Sequence, residues 1–249
     1  MSIRDEAARG FQHGAEAYER GRPGYPPEAV KWLWRELRLG PGRTVLDVAA
    51  GTGKLTRELV PSGAAVVAVE PVAGMMAVLE QVVPGATALS GTAEALPLSD
   101  QSVDAITVAQ AFHWFDGPAA VVEFHRVLRP GGRFGLIWNR RNVDEPIHRA
   151  VREIIEPYHR DSPSHYRGEW RRPVEDGGLF AAASHIEVPS EQVLGADSFV
   201  DRFNSISYIA ALPEAERASV TERLRAVASQ AGEPIRLGYT TEAYVYDRA

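Results

Sequence analysis

The sequence contains no cysteine in 249 residues. That excludes a disulfide framework, a thiolate metal site and a cysteine nucleophile, and it fits a chain kept in a reducing cytoplasm. It has no apolar run near the ~18 residues that cross a bilayer. The longest candidate, Ala64 to Val69, is six residues and reads as a buried strand. The opening stretch, MSIRDEAARGFQHG, is polar and lacks the apolar centre of a signal peptide. Positive charge is in deficit, 27 Lys+Arg against 33 Asp+Glu, for a net charge of −6. Such a balance argues against a nucleic-acid or anionic-membrane partner. There is no Gly-x-Ser-x-Gly elbow, and the seven histidines follow no metal-ligand spacing. No metal is expected.

What is present is ordinary for a globular chain: 45% apolar and 24% charged residues. The length suits one large domain or a domain with an insertion. RPGYPP at 22–27 breaks an N-terminal helical stretch, and Glu28 to Leu39 resumes helical spacing. From there β-branched runs at 44–48, 65–69, 86–89, 103–109 and 133–139 alternate with helix-like stretches at 53–60, 72–83 and 118–128. That rhythm predicts βαβ units with helices on both faces of a mostly parallel sheet. It breaks after Asn139. Residues 183–188 and 239–246 read as further strands, and 197–211 and 213–230 as helices. The expected division is a helical N-terminal cap (1–43), a cofactor-binding core (44–139), a helical lid insertion (140–181) and a C-terminal return to the sheet (182–249).

The most informative stretch is VLDVAAGTGKLT at 45–56, a strand, a small-residue turn and a helix. Gly51 and Gly53 remove side chains where backbone must approach a ligand, and the helix start offers free N–H groups. Asp47 ends the strand and is expected to aim its carboxylate at the crevice beyond the sheet. A phosphate loop needs Gly where Val48 stands and Ser or Thr where Leu55 stands. A dinucleotide fingerprint begun at Gly51 needs Gly at Thr56; begun at Ala49 it lacks its first Gly and meets Lys54 at its third. An acid beside a glycine turn better suits S-adenosylmethionine, which carries an ammonium group and no phosphate. Seventeen residues after Gly53, VVAVEP at 66–71 places Glu70 at the end of the second strand, where a carboxylate can accept both ribose hydroxyls.

Together with GTAEALPLSDQSVDAITVAQAFHWFD at 91–116 and FHRVLRPGGRFGLIWN at 124–139, these segments resemble the class I S-adenosylmethionine-dependent methyltransferases of the small-molecule type. The trans-aconitate methyltransferase group is similar. The resemblance implies a Rossmann-like, doubly wound, seven-stranded sheet with its last strand reversed. It implies that Asp47, Ala49, Gly51 and Gly53 surround the methionine moiety, that Glu70, followed by Pro71, binds the ribose, and that Ala93 and Glu94 contact the adenine edge. Gln110, opening the segment after the fourth strand, joins that cofactor set. Ala49 departs from the usual Gly, and Thr92 from a frequent Asp. Tyr18 and Arg22, in YERGRP, are expected either to close over the cofactor carboxylate, since Arg pairs carboxylates bidentately, or to cap the N-terminal helix.

Beyond the fourth strand, Phe112, Trp114 and Phe115 crowd three aromatics into four residues. One or two are expected in the core, and Trp114 beside the reacting methyl. His113 is the candidate catalytic residue, as a base or as a group that orients the acceptor. Residues 140–172 hold eight Arg, no Lys and six acids, a local excess of +2 on a chain whose remainder carries −8. Arg140 and Arg141 are candidate binders of a carboxylate-bearing substrate, against the plainer reading of a solvated face. The expected function is methyl transfer from S-adenosylmethionine to a small organic acceptor. The alternatives are a catalytically silent binder of that cofactor and a nicotinamide oxidoreductase.

Overall fold

The structure is a computed structural model that describes residues 15, 17–159, 163 and 165–249. The start of the expected N-terminal helix, and Arg160 and Asp161 of the arginine-rich stretch, lie outside the described residues. Seven strands form one sheet in the order β3–β2–β1–β4–β5–β7–β6. They are β1 Thr44–Val48, β2 Ala65–Val69, β3 Ala86–Leu89, β4 Val103–Ala109, β5 Leu128–Arg141, β6 Phe180–Leu194 and β7 Ile235–Arg248. β1 pairs in parallel with β2 and β4, β2 with β3, and β4 with β5. The sheet is mostly parallel, with one antiparallel hairpin. This is the doubly wound α/β class that the alternating pattern predicts.

The chain divides into two compact units, each drawn from separated segments. The first, here the strand unit, takes 24–139, 163–188 and 241–249; the second, the helical unit, takes 1–23, 140–162 and 189–240. The 140–181 stretch contributes to both, and its helix α6 (Arg171–Glu175) belongs to the strand unit.

In the strand unit, β1 and β4 are buried along nearly their whole length, as strands covered on both faces must be. One face is covered by α4 (Gly117–Val127), where Phe124 packs with Phe112, Phe134 and Trp138. The other is covered by α1 (Pro27–Glu36), which buries Ala29, Val30 and Leu33 at helical spacing. Pro27 opens α1 with a fixed φ, and Arg38, at φ 55, stops its continuation. Burial of a fully enclosed side chain such as Leu33 contributes about 1.5–3 kcal/mol.

Several elements differ from the sequence expectation, and β6 and β7 run beyond the expected 183–188 and 239–246. The helix expected over 53–60 is a single turn, α2 (Thr56–Leu59), followed by a 3-10 turn, because residues 49–55 are used up in a left-handed turn. β5 starts at Leu128, five residues early. Its RPGG stretch is accommodated between the pairings Val103–Leu128 and Ala105–Arg133. In the helical unit, the helix expected over 197–211 is two, α7 (Ala196–Asn204) and α8 (Ser207–Ala210). The Ser205 hydroxyl donates back to the Arg202 carbonyl, and Ile206 is extended. These helices share a core with α5 (Pro146–Ile155) and α9 (Glu214–Ala231) through Val151, Phe199, Phe203 and Leu224.

Candidate active site

Strand register builds the site. Val48 pairs with Val69 on one side and Val108 on the other, so β1, β2 and β4 end level. The residues that follow, Ala49, Glu70 and Ala109–Gln110, therefore leave the sheet side by side, at the carboxyl ends where such folds bind ligands. After β1 the chain turns through three left-handed residues, Ala49 (φ 54), Gly51 (φ 60) and Gly53 (φ 83). Gln110, just past β4, is also left-handed at φ 60. A left-handed residue with a side chain costs about 1 kcal/mol or more. Ala49 and Gln110 concentrate that strain at one place.

The two turn glycines act differently. A Cβ on Gly51 would meet nothing within 4 Å, so its backbone lies open to an approaching group. A Cβ on Gly53 would sit 2.8 Å from Val83 Cγ2 and 3.2 Å from Leu79 Cγ. Gly53 thus lets the turn close on α3 (Ala73–Val82), a packing need rather than a ligand need.

Glu70 is buried and ties the turn to β2. Its Oε2 accepts from the Gly51 N–H at 2.8 Å and its Oε1 from the Val72 N–H at 2.9 Å. Asp47 is fully buried. Its carboxylate does not stand open at the crevice: Oδ2 accepts from Thr56 Oγ1 at 2.7 Å and Oδ1 from Thr107 Oγ1 at 2.8 Å. Burial pushes the Asp47 carboxyl up to about 6 against the pull of those hydroxyls, and burial raises Glu70 as well. Neither acid has a cationic partner among the described residues. Thr56 and Thr107 are site residues that the sequence reading missed. A hydroxyl nine residues after an acid on a strand–turn–helix, and one on the neighbouring strand, were the available signal.

Around this centre, Pro71 is exposed beside Glu70 and Ala93 is buried. Glu94 accepts through Oε1 from the Asp116 N–H at 2.9 Å, which links the segment after β3 to the start of α4. His113 lies on a 3-10 turn, Phe112–Trp114. Phe112 and Phe115 belong to the aromatic core, which leaves Trp114 half-buried. The His113 ring centroid is 5.3 Å from Trp114 and 6.0 Å from His165. His165 in turn stacks on Trp138 at 5.7 Å with planes 9° apart. The Nδ1 of His113 and the Nε1 of Trp138 are buried without a hydrogen-bond partner among the described residues. Burial, helped by His165, holds the imidazole down to about 3, so His113 is neutral near pH 7.

Tyr18, Arg22, Arg140 and Arg141 belong to the helical unit. There Arg22 donates to Ser205, and its guanidinium lies 4.9 Å from the Tyr18 ring centre. A separate concavity of about 330 Å³, lined by Arg171, Glu175, His185 and Tyr244 among others, shares no residue with the strand-end site.

The strand-end residues fit the cofactor expected from the sequence. Open backbone at Gly51 leaves room for it, and two buried acids without a cationic partner among the described residues match a ligand with a positive sulfur and an ammonium group. A family model for a methyltransferase domain matches residues 46–136, from β1 to β5. An uncharacterized methyltransferase of Mycobacterium tuberculosis is 43% identical over 226 residues, 89% of this chain and 86% of that protein. A methyltransferase-like protein of Schizosaccharomyces pombe is 33% identical over 240 residues, 94% and 93% of the two chains. A solved structure described as a type II methyltransferase from Anaeromyxobacter dehalogenans superposes with a TM-score of 0.66 at 26% identity, covering 91% of this chain and 97% of that one. The level strand ends, the bare turn and these likenesses together place the chain in the methyltransferase family, as an S-adenosylmethionine-dependent enzyme.

Proposed function

We propose that the enzyme methylates a small organic acceptor, with the cofactor held at the ends of β1, β2 and β4. The observation that carries this reading is the open left-handed turn at Gly51, hydrogen-bonded to a buried Glu70 that has no cationic partner among the described residues. When bound, the cofactor supplies an electrophilic methyl group on a positively charged sulfur. The protein has then to align an acceptor lone pair with that methyl and keep water away. Ala49 and Gly51 offer backbone to the methionine end, and Gly53 lets the turn that carries them close on α3. Glu70, beside Pro71, accepts from the ribose hydroxyls. Ala93 and Glu94 border the adenine, and Gln110 closes the floor between β1 and β4. Asp47 acts from beneath the turn: it fixes Thr56 and Thr107 and contributes negative potential.

At the reaction centre Trp114 forms a wall, and His113 orients the acceptor. A neutral imidazole held to about 3 is a poor general base at pH 7, but its unpartnered Nδ1 is a ready hydrogen-bonding group. Orientation is therefore favoured over proton removal. The acceptor carries a carboxylate, in keeping with the resemblance to the trans-aconitate methyltransferase group, and Arg140 and Arg141 serve its recognition. Tyr18 and Arg22 are assigned to the cofactor carboxylate. The test is formation of S-adenosylhomocysteine over a panel of organic acids, phenols and amines. Turnover with an acid supports the reading. Cofactor binding with no product from any acceptor would instead support the silent binding protein.

A further inference from the structure

Within the strand unit, a cluster of rings adjoins the strand-end site and takes no part in holding the cofactor. Ala109 of β4 pairs with Ile137 of β5, so Trp138 comes level with Gln110 at the carboxyl edge of the sheet. Phe134, Leu136 and Trp138 alternate onto the face that α4 covers. Trp138 is fully buried, with the Trp170 ring centre at 4.6 Å and that of Tyr244 at 6.2 Å. One half-buried side chain covers it. His165, on a three-residue 3-10 turn (His165–Arg167), stacks on Trp138 at 5.7 Å with planes 9° apart and stands 6.0 Å from the His113 ring. The Gly168 N–H donates to the His165 carbonyl at 3.0 Å to close that turn, and Gly168 leaves it at φ 70.

The stack fills this slot without satisfying it. Trp138 Nε1 is a donor, and His113 Nδ1 donates or accepts according to its tautomer. Both are buried and meet no hydrogen-bond partner among the described residues. Buried polar atoms in that state are costly, so His165 is a poor occupant. The nearby charges are engaged elsewhere. The Arg171 guanidinium lies 4.6 Å from the ring centres of both Trp170 and Tyr244, and 3.6 Å from Glu175. Glu175 also accepts from the Tyr246 hydroxyl at 3.0 Å. His113 is itself neutral near pH 7. The slot is therefore flat, apolar and uncharged, with two ring nitrogens left to bond.

We propose that the part of the methyl acceptor entering this slot is planar and unsaturated and bears an uncharged oxygen, and that it takes the place of His165 on Trp138 and bonds to Trp138 Nε1 and His113 Nδ1. Assignment to the acceptor rests on the methyltransferase reading; the slot rests on the rings alone. A planar ring recovers the stacking that His165 gives up, and its hydroxyl or carbonyl oxygen supplies the bonds that His165 leaves unmade. A saturated ring lacks the first advantage and a hydrocarbon ring the second.

Phenol, toluene and cyclohexanol separate these two features, and none of them carries a charge. The enzyme with isotope-labelled tryptophan is titrated with each, and the indole N–H resonance of Trp138, assigned through its own backbone amide, is followed by NMR. Phenol is expected to move that resonance downfield and to bind roughly tenfold more tightly than either of the others. Equal affinity for toluene overturns the role of the two nitrogens. Equal affinity for cyclohexanol overturns the planar requirement. A Trp138 resonance that none of the three moves overturns the slot. His165→Ala removes the occupant from a half-buried position, so phenol should bind roughly threefold to tenfold more tightly to that variant. Weaker binding overturns the displacement and makes His165 a wall. Calorimetry with S-adenosylhomocysteine reads the cofactor site separately: if it does not bind while phenol still reaches Trp138, the slot stands and its assignment to a methyl acceptor falls.

Discussion

Asp47 is the group whose titration reports most directly on the floor of the site. Burial raises its carboxyl from 3.8 to about 6 despite the hydroxyls of Thr56 and Thr107. That rise corresponds to about 3 kcal/mol of preference for the protonated form in the folded chain. Between those two values the folded chain keeps a proton that the unfolded chain has released. The contribution of this group to stability is therefore full below about pH 4, declines as the pH rises, and is gone above about pH 6. Asp47→Asn keeps the outline of the side chain and removes the titration. Relative to wild type, the stability of the variant should rise by about 3 kcal/mol between about pH 4 and about pH 7.5. Any fixed effect of the amide on Thr56 or Thr107 cancels in that double difference. Urea unfolding followed by tryptophan fluorescence at a series of pH values measures it. A difference between the two proteins that stays constant with pH would refute the burial argument. The same variant should bind S-adenosylhomocysteine more weakly at neutral pH, since the charge that destabilises the empty fold is the one that favours a cationic ligand.

Other substitutions separate packing from binding. Gly53→Ala forces a methyl to 2.8 Å from Val83 at φ 83, so it should destabilise the fold by about 1–3 kcal/mol in urea unfolding. Gly51→Ala meets no protein atom and should cost only about 1 kcal/mol of stability, yet lower cofactor affinity more than Gly53→Ala does, by calorimetry; the reverse order would contradict the assignment of the open face. Glu70→Gln turns an amide N–H₂ toward a backbone N–H and should weaken S-adenosylhomocysteine binding by roughly tenfold or more. His113→Asn should lower kcat while leaving the shape of the pH–rate profile unchanged, because the imidazole is already neutral; a limb near pH 6.5 that disappears in the variant would show that it acts as a base.

Much of the fold is legible in the sequence because hydrophobic period and turn chemistry agree over residues 44–127. β1 to β4 begin and end where the β-branched runs do. Misreadings arise where a local signal meets a tertiary demand. Gly53 reads as a ligand glycine, but its missing Cβ serves the contact with Leu79 and Val83, which only the folded α3 supplies. Asp47 reads as a carboxylate open to the crevice, but two hydroxyls cover it, one of them sixty residues away on β4. The level ends of β1, β2 and β4 follow from sheet register, which the pattern of single strands does not encode.

A crystal of the enzyme grown with S-adenosylhomocysteine bears most directly on the central claim. The account predicts density beyond the ends of β1, β2 and β4, with the ribose hydroxyls on Glu70 and the homocysteine end over the open backbone at Gly51. Density for the ligand elsewhere on the chain, with Glu70 still bonded only to Gly51 and Val72, would contradict it.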